Sequence, residues 1–160
     1  MKALALATLF ISLLSSNLSS AVNFPLSPNE QMTPGKLCSS SDNTRYPERI
    51  RYCNRDVSSD LKQQIIVNYD RAFGYRIESL PRDQFKIDHY IPLCVGGAND
   101  MSNLWPQHVS VYSITDSLEE LVCKKMAEGK LRQKDAIKII IEGKHHLDDV
   151  PEILHHVGAL

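Results

Sequence analysis

The residues best suited to chemistry stand together in one short stretch. Asp88 and His89 are adjacent, and a segment carrying Pro92, Gly96, Gly97 and Asn99 separates them from Asn103. A neutral imidazole titrates at about 6.5 and can take a proton from water at neutral pH. A carboxylate is a natural ligand for a hard divalent cation, and such a cation acts on oxygen as a Lewis acid. An Asp-His pair therefore joins a proton acceptor to a cation ligand. Asn103 does no proton chemistry, but its amide has donors and an acceptor with which to bridge a loop backbone. Gly96-Gly97 permits a tight turn that brings the flanking segments together.

Those residues need elements to hold them. Phe85-Lys86-Ile87-Asp88-His89-Tyr90-Ile91 alternates like a strand, and Pro92 ends it. Cys94 to Asn103 reads as a loop between two short strands, the second starting at Leu104-Trp105 and closed early by Pro106. A helical pattern follows from Val109 to Glu128, with Val111, Ile114, Leu118, Leu121, Val122 and Met126 apolar and Gly129 as its stop. Arg132 to Glu142 reads as another helix, ended by Gly143. Upstream, Ser58, Ser59 and Asp60 can cap a helix to Phe73, with Leu61, Ile65 and Tyr69 facing a core and Gly74 at its end. Trp105 is expected in the core.

The ends of the chain read differently. Lys2 precedes the apolar run Ala3 to Leu14, and Ser19-Ser20-Ala21 supplies small residues before a cleavage point after Ala21. This is the pattern of a secretory signal peptide, and the run is shorter than the roughly 20 residues a membrane span needs. The product is expected in the periplasm or outside the cell, with no membrane attachment after cleavage. Pro25, Pro28, Pro34 and Gly35 punctuate an irregular arm. The segment from Lys144 is polar, with His145-His146 and His155-His156 read as exposed, and Pro151 can open a short helix. The expected organisation is a signal peptide over 1–21, an arm over 22–56, one domain over 57–143 and a tail over 144–160.

Charge excludes a protein that coats nucleic acid. Losing Lys2 lowers the 18 Lys and Arg by one against 19 Asp and Glu, for a mature charge of −2. The distribution is uneven, with basic residues in excess between Lys36 and Lys86 and acidic ones after Asp100. Four cysteines, Cys38, Cys53, Cys94 and Cys123, suit two disulfides in an exported chain. Three pairings are open. Cys38–Cys53 is favoured as a local staple and Cys94–Cys123 as a clamp across the later motif. No Cys-x-x-Cys pair occurs to favour zinc.

The run from Asp88 to Gln107 resembles the HNH nuclease motif. An Asp-His pair leads through x-x-Pro to a Gly-Gly turn, then to Asn103-Leu104 and a helix. Leu37-Cys38, Tyr46-Pro47-Glu48-Arg49-Ile50, Tyr52-Cys53, Asp116-x-Leu118-Glu119 and Val122-Cys123 extend the resemblance to secreted bacterial HNH-like proteins, over about residues 37–140. It implies a small α+β fold: two antiparallel strands and a helix around one divalent ion, with further helices packed on it and an irregular N-terminal arm. It implies hydrolysis of DNA or RNA phosphodiesters, with His89 as general base, Asp88 on the metal and Asn103 holding the loop and His89 in place. Mg²⁺ is the first expectation for the ion, with Mn²⁺ and Zn²⁺ as alternatives. No immunity or inhibitor partner can be named.

The chain departs from that motif on the helix. A histidine usually supplies the second metal ligand there, and Tyr112 stands at the corresponding place. Asp116 is the first candidate and His108 the second. His108, Tyr112, Asp116 and Glu119 can share one helix face. Arg45, Arg49, Arg51 and Arg55 can contact phosphates or form ordinary solvated surface. Two other readings stand beside the enzyme: a non-catalytic, disulfide-stapled binding domain on an HNH scaffold, and a structural zinc module using His108 and cysteines.

Overall fold

The N-terminal arm is tied to the loop that follows Asp88 and His89. In the computed structural model, which describes residues 22–160, Leu37 forms an antiparallel bridge with Gly97. The Cys38 N–H donates to the Gly96 carbonyl at 2.8 Å, and the Ala98 N–H donates to the Lys36 carbonyl at 2.9 Å. Beyond this bridge, β1 (Thr44–Arg45) and β2 (Ile50–Arg51) pair antiparallel. The Cys38–Cys53 disulfide returns the end of this small hairpin to the arm. The signal-peptide reading falls on residues 1–21, outside the described residues.

Helix α1 (Ser59–Phe73) has the ends that its sequence calls for. Ser58 accepts from the Leu61 N–H at its start, and Gly74 closes it in the left-handed conformation. Ile65 and Tyr69 are buried against the hairpin core, where Trp105 and Leu104 are fully enclosed. Phe73 stays largely exposed.

The central hairpin is β3 (Phe85–His89) against β4 (Leu104–His108). Its antiparallel register sets Asp88 opposite Trp105 and His89 opposite Leu104. Pro106 does not end β4; it sits within the strand opposite Ile87. In a two-stranded sheet each strand has an open edge, where a missing N–H breaks no ladder bond.

Helix α2 (Val109–Ala127) leaves β4 directly, with His108 as its N-cap. Its first half enters the hairpin core through Val111. Its second half packs Leu118, Val122 and Met126 against α3 (Gln133–His145) and α4 (Val150–Gly158). The described residues thus form an α+β fold of four α-helices and two small antiparallel sheets.

Two departures from the sequence reading lie near the C-terminus. Helix α3 continues through Gly143, which is buried within it. A Cβ there would collide with Leu118 on α2, so this glycine serves close helix packing rather than termination. Residues 144–160 are also no loose tail. Lys144, Val150 and Val157 are buried, and α4 packs on α2. The Lys125 ammonium donates to the Gly158 carbonyl at 2.9 Å, at the C-terminal end of α4.

The cysteines pair as Cys38–Cys53 and Cys94–Cys123. No thiolate is left for a zinc module. Two disulfides point to an oxidising compartment. Among the described residues, no helix is long and apolar enough to cross a membrane.

Candidate active site

The loop between β3 and β4 is built on Asn103. This side chain is fully buried. Its Oδ1 accepts from the Ile91 N–H at 2.9 Å, and its Nδ2 donates to the carbonyls of Ile91 and Ala98, both at 3.0 Å. Gly97 passes so close that a Cβ would strike the Ile91 carbonyl and the Asn103 amide. Asn103 thus closes the loop, as its amide chemistry suggested, but it does not touch the His89 ring.

Asn103→Ala strands one buried N–H and two buried carbonyls. Each such orphan costs about 1–3 kcal/mol. The expected result is a loss of roughly 3 kcal/mol or more, read as a lower denaturation midpoint with an unchanged m-value.

His89 is held by two groups outside the expected set. Its Nε2 lies 3.0 Å from Asn99 Oδ1, and Arg55 Nη1 lies 3.3 Å from its Nδ1. Arg55 Nη2 donates to the Ile87 carbonyl at 3.0 Å, and Arg55 Nη1 stands 4.0 Å from Asp88 Oδ1. The arginine therefore sits beside both members of the Asp-His pair while its side chain is half exposed. Burial pushes the imidazole below its ordinary value, with the Asn99 acceptor pulling the other way. The lowered value favours the neutral form of the ring.

Asp88 reaches toward α2, where Asp116 and Glu119 are one turn apart and share a face. One carboxylate oxygen from each of the three lies within 4.8 Å of the others. Two lysines are threaded among them. Lys86 Nζ donates to both Asp116 oxygens at 2.8 and 3.0 Å and stands 3.3 Å from Asp88 Oδ2. Lys144 Nζ stands 2.6 Å from Glu119 Oε1 and donates to the His89 carbonyl at 2.6 Å.

Even so, Asp88 Oδ2 and Glu119 Oε1 are buried with no hydrogen-bond partner. Each is nonetheless compensated by charge, Asp88 Oδ2 by Lys86 Nζ at 3.3 Å and Glu119 Oε1 by Lys144 Nζ at 2.6 Å. Burial works to raise the Asp88 carboxyl, but Lys144 and Lys86 outweigh it and hold it below the usual value. Burial raises Glu119 against the pull of Lys144.

Three carboxylates crowded around two lysines offer oxygens to a divalent cation that displaces an ammonium. Three oxygen donors suit Mg²⁺ or Mn²⁺ better than a softer ion. The geometry brings Asp88, Asp116 and Glu119 together. It leaves His108 apart, at the far end of the hairpin opposite Phe85. There its Nδ1 accepts from the Ser110 N–H at 3.2 Å and its ring stacks on Phe24.

Sequence reasoning missed Asn99, Lys86 and Lys144. Asn99 reads from sequence only as a turn residue. Lys86 alternates with Asp88 on one strand face, a spacing that could have placed it. Lys144 carries no local signal, because its partners are far away in the chain.

No family model matches the chain, and no curated protein or solved structure matches it either.

Proposed function

We propose that the chain is a metal-dependent nuclease of the HNH type that hydrolyses DNA or RNA phosphodiester bonds outside the cytoplasm. The observation that carries this reading is the oxygen cluster of Asp88, Asp116 and Glu119, set beside His89 on the same strand as Asp88. The succession β3, loop, β4 and α2 fits the ββα core that the HNH resemblance implies. A phosphodiester resists attack because its anionic charge repels nucleophiles and its alkoxide leaves poorly. Asp88, Asp116 and Glu119 would hold one divalent ion, Mg²⁺ or Mn²⁺, and that ion supplies Lewis acidity at the phosphoryl and leaving oxygens.

The other roles belong to side chains. His89 would take a proton from the attacking water once Arg55 turns from its Nδ1 to the substrate. Arg55, beside both Asp88 and His89 and half exposed, is placed to receive a phosphate oxygen. Lys86, freed from the carboxylates, can do the same. Asn103 keeps the loop closed.

One observation favours the non-catalytic alternative. Lys86, Lys144 and Arg55 balance the three carboxylates, so the cluster can also be read as a closed ion-pair network.

A paired experiment separates the readings. Oxidised protein spanning residues 22–160 is given plasmid DNA and structured RNA with Mg²⁺ or Mn²⁺, and Mn²⁺ binding is titrated separately. The nuclease reading expects cleavage that EDTA abolishes and one bound Mn²⁺. It also expects Asp88→Asn and Glu119→Gln to weaken that binding by more than about 10-fold, since outer-shell changes alone reach that scale. A well-folded protein that binds no ion and cuts neither substrate supports the ion-pair network.

A further inference from the structure

We propose that Asn99, anchored by the main-chain carbonyl of Asn54, fixes His89 as the tautomer protonated on Nε2 and leaves Nδ1 as the accepting nitrogen, engaged by Arg55 in this structure. Two independent contacts lead to the same tautomer. Asn99 Nδ2 donates to the Asn54 carbonyl at 2.6 Å. A carbonyl can only accept, so the amide cannot be turned around, and Asn99 must present its oxygen to His89 at 3.0 Å. That oxygen needs a proton from Nε2. On the other side of the ring, Arg55 Nη1 lies 3.3 Å from Nδ1. Guanidinium nitrogens only donate, so Nδ1 must be the bare nitrogen. The same Nη1 stands 4.0 Å from Asp88 Oδ1, so the arginine spans both side chains.

The anchor comes from a part of the chain with no chemistry of its own. Asn54 directly follows Cys53, whose disulfide to Cys38 ties it to the arm bridged onto Gly97. The arm thus sets the orientation of one amide, and that amide sets the proton on the imidazole. Asn99 is a positioning residue. It acts through His89 and takes no part in bond making.

The catalytic consequence rests on the nuclease reading, but the tautomer does not. The test is a long-range ¹H–¹⁵N correlation spectrum of the imidazoles in oxidised protein, with His89 assigned by its absence in His89→Ala. The expected spectrum has the His89 proton on Nε2 and in slow exchange with solvent. Asn99→Ala should speed that exchange by more than about 10-fold, since the proton loses its acceptor. If cleavage is present, Asn99→Ala should lower kcat by roughly 10-fold with little change in KM, the scale of an outer-shell orienting residue. A proton found on Nδ1 overturns the proposal. So does an Nε2 proton whose exchange is as slow in Asn99→Ala as in the parent. The spectrum reads the tautomer whether or not the parent protein cuts nucleic acid, so failure of the nuclease reading is distinguishable from failure of this one.

Discussion

His89→Ala should lower nucleic-acid cleavage by about 10²–10⁴-fold, the usual contribution of a positioned general base. Mn²⁺ binding should survive, because Asp88, Asp116 and Glu119 keep their carboxylates. That combination separates loss of a base from loss of a metal site. The pH dependence makes the same point. A base works in its neutral form, which for histidine is the form above its pKa. Burial lowers the His89 pKa from its ordinary value. The acid limb of kcat/KM should therefore have its midpoint below about 6.5, with a flat profile through neutral pH. Rate measurements across the acid range on the parent and on His89→Ala check this. If the acid limb persists unchanged in the variant's residual activity, a different group is the base.

The second large effect concerns stability. Lys144 is 1 % exposed, and its ammonium bridges Glu119 and the His89 carbonyl. Removing one partner of a buried ion pair leaves the other charge uncompensated and costs about 3–5 kcal/mol. Lys144→Met should therefore lose about that much, measured by urea unfolding under oxidising conditions. Burial already raises the Glu119 pKa. The variant can relieve itself in part by protonating Glu119, which places the loss toward the lower end. Adding Glu119→Leu to Lys144→Met should restore much of the stability, because a well-packed apolar pair often matches a buried ion pair. A single-variant loss under about 1 kcal/mol would mean that Lys144 behaves as a surface ion pair does.

What could be read from sequence was local. Ser58 and Gly74 mark the ends of α1 by their own conformational preferences, and the alternation of Phe85 to His89 marks β3. Asp88 and His89 end one strand and Asn103 stands just before the next, and the turn chemistry of Gly96-Gly97 shows that the loop between them must close. Asp116 was within reach because the resemblance implies an acidic residue on the helix after Asn103, whereas Glu119 was noted only as lying on the same helix face.

The rest depended on pairings across long stretches of chain. Asn99 holds His89 only because the arm brings the Asn54 carbonyl to its other side. Lys144 sits in a polar run with two histidines, and no local pattern shows that its ammonium ends beneath β3. Gly143 has the appearance of a helix stop, since a glycine needed for packing against Leu118 is written with the same letter as one needed for a turn. His108 caps α2 instead of approaching Asp88, because β4 runs on past Pro106 and carries it to the opposite end of the hairpin.

The placement of Lys144 also bears on when the protein is assembled. Translation delivers Asp88, His89, Asn103, Asp116 and Glu119 before the ammonium that neutralises Glu119 and engages the His89 carbonyl. A chain stalled or cut before that lysine carries three carboxylates crowded together with one of their cations missing. Such a fragment is expected to leave the cluster splayed and the strand end unheld.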